Sequence, residues 1–152
     1  MTCLRPPTTR RQRGIAAVEL ALVLPVFLIL LTFPLYLGRV YWHYTIIQRA
    51  AQDAGRYLSS IPLSEMRNPA RAPALVAVAY NIIDAELAEV APGAYHYLPL
   101  VACDINTACG GFVTPTTVSV SIGMQIDDIF FSDVTSLTLP LTVMVTYPYL
   151  GN

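Results

Sequence analysis

Between Ile15 and Leu37 the chain holds 23 residues that carry a single charge, Glu19. A helix of that length rises about 35 Å, enough to cross a hydrocarbon layer of about 30 Å. After Leu37 the pattern becomes one-sided. Val40, Tyr44, Ile47, Ala51, Ala54 and Leu58 recur at alternating steps of four and three, while Thr45, Gln48, Arg49, Gln52, Asp53 and Arg56 fall on the opposite arc. The helix is therefore expected to continue to Ser60, with Arg49 and Asp53 placed for an i,i+4 ion pair worth ~0.2–0.5 kcal/mol. Its apolar seam is expected to pack on the chain's own outer domain, a partner helix being the alternative. Tyr36, Tyr41, Trp42 and Tyr44 cluster where the apolar run stops, as interfacial aromatics do.

Ile61-Pro62 ends this stem, and the three prolines Pro62, Pro69 and Pro73 mark a connector. Pro73 suits the first turn of a second helix running to about Val90 and closed by Pro92-Gly93. Its apolar stripe is Val76, Ala79, Tyr80, Ile83, Leu87 and Val90, with Asp84 and Glu89 on a solvated face and Glu86 at its edge. The period then changes to two. Ala94–Val101 reads as a short strand, Thr116–Ile122 alternates around Val118, Val120 and Ile122, and Leu137–Tyr147 alternates around Leu139, Leu141, Val143, Val145 and Tyr147. Pro140 confines the start of that last strand to an edge or bulge. The expected fold class is α+β: a long N-terminal helix, then a small helix-plus-antiparallel-sheet unit. The expected boundaries are 1–14 (basic leader), 15–37 (membrane span), 38–60 (amphipathic extension) and 61–152 (outer domain).

Charge gives this layout a direction. Residues 1–14 hold four arginines and no acid (net +4), whereas the remainder holds five arginines and ten acids (net −5). Positive charge beside a span stays cytoplasmic, so the domain after Gly38 is expected outside, in the periplasm. A secretory signal peptide has the same order of features. However, its apolar region is typically ~7–15 residues, and Tyr36-Leu37-Gly38-Arg39 is a poor cleavage site. The tail, with Pro6-Pro7 and little to pack, is expected to be disordered. With no lysine and only nine arginines the chain offers no nucleic-acid surface.

Chemistry is sparse. Cys3 lies in the inner tail, whereas Cys103 and Cys109, with five residues between them in CDINTAC on the outer side, suit a disulfide, two free thiols being the alternative. His43 and His96 have no obvious partner, no Ser or Cys sits in a nucleophile motif, and no glycine loop precedes a helix. The acidic stretch Ile126–Asp133 lacks the ligand spacing of a calcium loop and reads as a turn, its Phe130-Phe131 being either core or contact surface. No enzyme activity, metal, cofactor or small-molecule substrate is expected.

Glu19 is the exception to this quiet picture. A carboxylate inside an apolar helix costs ~2.5–3.5 kcal/mol at the bilayer centre and less near its edge, so it either snorkels to water or takes a partner. Pro25 and Pro34 each remove a helix hydrogen bond, from the carbonyls of Ala21 and Leu30, and are expected to kink the span. The run Arg13-Gly14-x-Ala16-Ala17-Val18-Glu19-Leu20-Ala21-Leu22-Val23-Leu24-Pro25 resembles the N-terminal signature of TadE-like pseudopilins of tight-adherence pilus systems. The likeness continues through Gly38-Arg39 and Ala50-Ala51-Gln-Asp-Ala54-Gly-Arg56-Tyr57, about 45 residues in all. The resemblance implies cleavage by a prepilin peptidase between Gly14 and Ile15. Glu19 would then lie fifth in the mature chain and pair with the new terminal amine of a neighbouring helix. It implies other pilin-like subunits and the inner-membrane assembly machinery as partners. The alternatives are an unprocessed single-pass anchor and a secreted binding domain.

Overall fold

The computed structural model describes residues 13–88, 90, 97–104, 108–110, 114–127 and 138–151. They form helix α1 (Arg13–Ser59), the short helix α2 (Leu63–Met66), helix α3 (Ala72–Ala88) and strands β1 (Tyr97–Cys103), β2 (Thr117–Asp127) and β3 (Thr138–Pro148). The class is α+β, as the change of hydrophobic period requires. By contact density the chain divides into two units, Met1–Gly38 and Arg39–Asn152.

The first unit is helical from Arg13, and its side chains from Gly14 to Leu31 are all exposed although nearly all are apolar. Leu22 is 71% exposed and Leu30 68%. In water that would leave a continuous apolar cylinder uncovered; a bilayer is the solvent that suits it. By length and composition this helix can span a membrane.

The second unit is built on the remainder of α1. Its buried arc runs through His43, Ile46, Ile47, Ala50, Ala51, Ala54 and Leu58. Tyr44, expected on that seam, is 39% exposed. At 3.6 residues per turn it falls at the edge of the arc, whereas His43 and Ala50 fall nearer its centre. The arc packs on the chain's own sheet and α3, sharing one core with Met66, Ala79, Ile83, Leu87, Val118, Val120, Ile122 and Val143. Small residues make the approach close. A Cβ on Gly55 would lie 2.7 Å from Cδ2 of the Tyr147 ring, so only glycine fits without moving the ring. The expected Arg49–Asp53 pair is not among the ion pairs of the described residues; the few tenths of a kcal/mol on offer do not hold two exposed side chains together. Arg71 and Glu65 pair instead, at 2.6 Å.

The connector after Ile61 is more ordered than expected. Residues 63–66 form α2 and bury Met66 at 1% exposure. α3 begins one residue before Pro73, which occupies its first turn where a missing N–H costs nothing. It buries Ala72, Ala79, Ile83 and Leu87. Asp84, expected on a solvated face, is exposed but accepts a 2.7 Å hydrogen bond from the Tyr97 hydroxyl, linking α3 to β1.

The sheet is antiparallel in the order β1-β2-β3. Central β2 alternates throughout, Val118, Val120, Ile122, Met124 and Ile126 facing the core. It runs to Asp127, beyond the expected end at Ile122, because Met124 and Ile126 extend the same face past Gly123. Val120 pairs with Val101 on one side and Val145 on the other. Pro140 lies on edge strand β3, opposite Gln125, as its missing donor demands. β1 begins at Tyr97; residues 94–96 of its expected range lie outside the described residues, as does Leu137.

Beyond β3 the chain returns to the stem. Leu150 N donates to the Ser59 carbonyl at 3.1 Å, and the Tyr149 hydroxyl donates to the Ile61 carbonyl at 2.6 Å. These bonds satisfy acceptors at and just beyond the end of α1 that no helical N–H reaches.

Gly55→Ala is expected to destabilise the outer unit by ~1–3 kcal/mol, the usual cost of overpacking, seen as a lower thermal midpoint of the detergent-solubilised chain. Gly38→Ala, at a position with nothing within 4 Å of an added Cβ, is expected to leave that midpoint unchanged or higher.

Candidate functional site

Gly14 and Ile15 lie in the first turn of α1, which starts at Arg13. The first N–H groups of a helix have no intrahelical acceptor, so the Gly14–Ile15 bond occupies the part of α1 that opens most easily. Nothing stands within 4 Å of a Cβ placed on Gly14, and Ile15 is 64% exposed. Glu19 is exposed as well. It sits in the second turn rather than the first, which holds no acid, because the helix begins two residues ahead of Ile15. Four residues separate Ile15 from Glu19, ~6 Å along the axis and on one face. A cation at residue 15 and this carboxylate are thus neighbours on the helix surface.

Pro25 and Pro34 both lie inside α1, whose span is continuous through them. Each withholds the donor that would reach the carbonyl of Ala21 or Leu30. Two residues before Pro34, the Thr32 hydroxyl donates back to the Leu28 carbonyl at 2.9 Å, a bond that often bends helices.

In the outer unit the structure joins Cys103 and Cys109 as a disulfide, with Cα atoms 4.9 Å apart. Asp104, which follows the first half-cystine, adopts a left-handed φ of 54°. Its carboxylate accepts bonds from the Thr116 hydroxyl (2.6 Å), the Thr116 N–H (2.8 Å) and the Thr117 N–H (3.1 Å). Its own N–H donates to the Thr117 carbonyl at 2.8 Å. Gly110, with φ of 105°, brings the chain so close to α3 that an added Cβ would stand 2.6 Å from Cβ of Ala72. The cystine and Asp104 therefore close the same end of the β1–β2 pair. Sequence reasoning placed the disulfide but missed Asp104; an acid at a turn next to a cysteine was the available signal.

His43, which lacked an obvious partner in the sequence, is 5% exposed and donates from Nδ1 to the Arg39 carbonyl at 2.7 Å. It is a satisfied core residue one turn along its own helix. Among the described residues no group of three or more His, Cys, Asp or Glu is placed to hold a metal. Of the acidic stretch, Ile126 and Asp127 belong to β2; Asp128–Asp133, with Phe130 and Phe131, lies outside the described residues, as does His96. A shallow groove on the outer sheet face, lined by Leu98, Gly123, Pro140 and Thr142 among others, offers no titratable group.

The features that could act chemically thus fall on one exposed apolar helix carrying a glycine, an acid five residues later and two prolines. Residues 14–56 match the family model described as TadE-like protein. The TadE-like segment lies wholly within α1. It begins at Gly14 and ends where the small-residue face of the stem meets the sheet. No curated protein and no solved structure matches the chain.

The Asp104 carboxyl is held below its ordinary pKa, first by the Thr116 hydroxyl and then by the Thr116 and Thr117 N–H groups. The folded chain consequently binds fewer protons here than the unfolded chain. The stabilisation is complete above the ordinary carboxylate pKa and is lost as pH falls through the lowered value. Asp104→Asn is expected to flatten the acid limb of the melting-temperature profile below about pH 4, checked by circular dichroism. Cys103→Ser is expected to cost roughly 2 kcal/mol for a loop this short and to speed proteolysis of the outer unit.

Proposed function

We propose that the chain is a non-catalytic pilin-like subunit of a tight-adherence pilus system, held in the inner membrane by α1 with its α+β unit in the periplasm. The observation that carries this reading is the coincidence of the TadE-like match with the helix that bears Gly14, Ile15 and Glu19. Four arginines precede Ile15, and the asymmetry of charge supports an inside N-terminus. A prepilin peptidase cuts between Gly14 and Ile15, removing those arginines and creating an ammonium at residue 15. That ammonium and Glu19 are the two charges an apolar helix must neutralise to enter a helix-packed assembly. Pairing Glu19 of one subunit with the terminal amine of the next satisfies both and fixes the axial register between helices. Pro25 and Pro34 make the intervening helix easier to bend as it leaves lipid for protein neighbours.

Mass spectrometry of the membrane-extracted chain is expected to show Ile15 as the mature N-terminus. Met1 would identify a permanent anchor, and a start beyond Leu37 a secreted domain. Glu19→Gln is expected to leave insertion intact while lowering recovery with other pilin-like subunits by about tenfold or more, the equivalent of a charged hydrogen bond worth ~1.5–3 kcal/mol. Unchanged recovery on crosslinking and co-purification would remove Glu19 from assembly.

A further inference from the structure

The sheet has two edges, and they are not equally closed. Asp104 N donates to the Thr117 carbonyl. By the alternation of an antiparallel ladder, the even residues of β1 therefore turn their main chain toward β2 and the odd ones turn it outward. Pro99 is an outward residue and interrupts that edge with a missing donor. α3 also lies against this strand, through the bond from Tyr97 to Asp84.

The edge of β3 differs. Tyr149 N donates to the Thr116 carbonyl at 2.9 Å, and the pairing of β2 with β3 runs on from there without a bulge. Odd residues of β3 therefore bond to β2, and even residues point N–H and C=O away from the sheet. The prolines of this strand, Pro140 and Pro148, both fall on outward positions. Between them Thr142, Met144 and Thr146 face outward, and among the described residues no further main-chain bond reaches them. Their side chains are exposed, that of Met144 to 67%. Such an edge is commonly guarded by charged side chains; β3 holds no Asp, Glu, Lys or Arg. It is also self-complementary, because Met144 stands four residues from each proline. When two such edges meet antiparallel and centred on Met144, Met144 faces its own copy, Thr142 faces Thr146, and Pro140 faces Pro148. Every outward N–H then meets a carbonyl, and the missing donors lie opposite one another at the two ends. On the core side the half-buried Leu141 and Val145 meet Tyr147 and Val143 of the other copy, cross-strand pairs of the kind that stabilise sheets.

We propose that two copies of this chain pair through their β3 edges, antiparallel and centred on Met144, so that their sheets join into one. The occupant of the edge is a second copy, argued from the symmetry of the strand about Met144 and from its lack of charge, which lets identical surfaces meet without repulsion. The contact is isologous: each residue that touches the other copy is touched in return by its counterpart. It goes beyond the pilin-like reading and does not depend on it.

The test uses membranes from cells expressing the full chain with Cys3→Ser, one cysteine introduced on β3 and mild oxidation. Directly opposed, hydrogen-bonded residues stand about 5.5 Å apart at Cα, within the ~4.4–6.8 Å that a disulfide spans. The Thr142 positions of the two copies are about 14 Å apart. Met144→Cys is expected to give a covalent dimer on a non-reducing gel, and Thr142→Cys alone a monomer. Thr142→Cys co-expressed with Thr146→Cys is expected to cross-link again. No dimer from Met144→Cys would overturn the pairing, and equal dimer from Thr142→Cys and Met144→Cys would overturn its register. Met144→Arg sets two like charges face to face on a side chain the single chain leaves exposed. It is expected to lower the dimer fraction of the detergent-solubilised chain several-fold with the thermal midpoint unchanged. Met144→Arg mixed with Met144→Glu is expected to restore it. A dimer fraction that Met144→Arg does not move would overturn the pairing. These readouts are the same whether the chain begins at Met1 or at Ile15, so they stand apart from the test of processing.

Discussion

The closeness with which the stem can approach the sheet governs the outer unit. Ala50, Ala51, Ala54 and Gly55 offer almost no side chain, so the helix backbone sits where a larger residue would hold it away. That proximity brings Ile47 and Leu58 into the same core as Val118, Val120 and Ile122. It also sets the height at which Tyr147 lies over the helix. Hydrophobic burial supplies the drive, but the small-residue face determines the geometry in which burial occurs. With such a small domain, one close helix–sheet contact is a large part of the available core.

The two units of the chain answer to different solvents. Residues 14–31 are apolar and uncovered, a surface that lipid satisfies. From His43 onward the same helix is one-sided, and its apolar arc is satisfied by the sheet and α3. One continuous element therefore carries an all-round apolar pattern and then an amphipathic one. The TadE-like match covers both parts and little else. What this match captures is thus the helix and its small-residue docking face, while the sheet that receives it lies outside residues 14–56.

Much of this was legible in the residues because periodicity reports directly on burial. The α+β class, the stem, α3, the alternation of β2 and the edge position of Pro140 all follow from spacing. Tyr44 was misplaced because an alternating step of three and four drifts across a 3.6-residue helix, and a residue at the rim of the arc fits the count as well as one at its centre. α2 was hidden because four residues carry no period. β2 runs past the expected end at Ile122 because Gly123 keeps its pairing with Leu98 and Thr142, and Met124 and Ile126 hold the same period beyond it. Of the candidate site residues, Glu19 stood out as the one charge in the apolar run, whereas Gly14 and Ile15 entered through the TadE-like resemblance. The roles of Asp104 and His43 needed three dimensions, because their partners are main-chain groups that look alike in any sequence. The cystine could be anticipated; that Asp104 locks the same strand ends could not.

The bonds from Tyr149 and Leu150 to the carbonyls of Ile61 and Ser59 bear on how such a chain is made. The tyrosine that reaches Ile61 is separated from it by 88 residues. During synthesis the stem leaves the ribosome long before its closing latch exists. Through that interval the small-residue face has no sheet to cover it and the end of the helix has no donors. The interior of this unit can therefore be completed only once β3 and the residues after it have been made. Until then the nascent chain exposes the same alanine face that later disappears into the core.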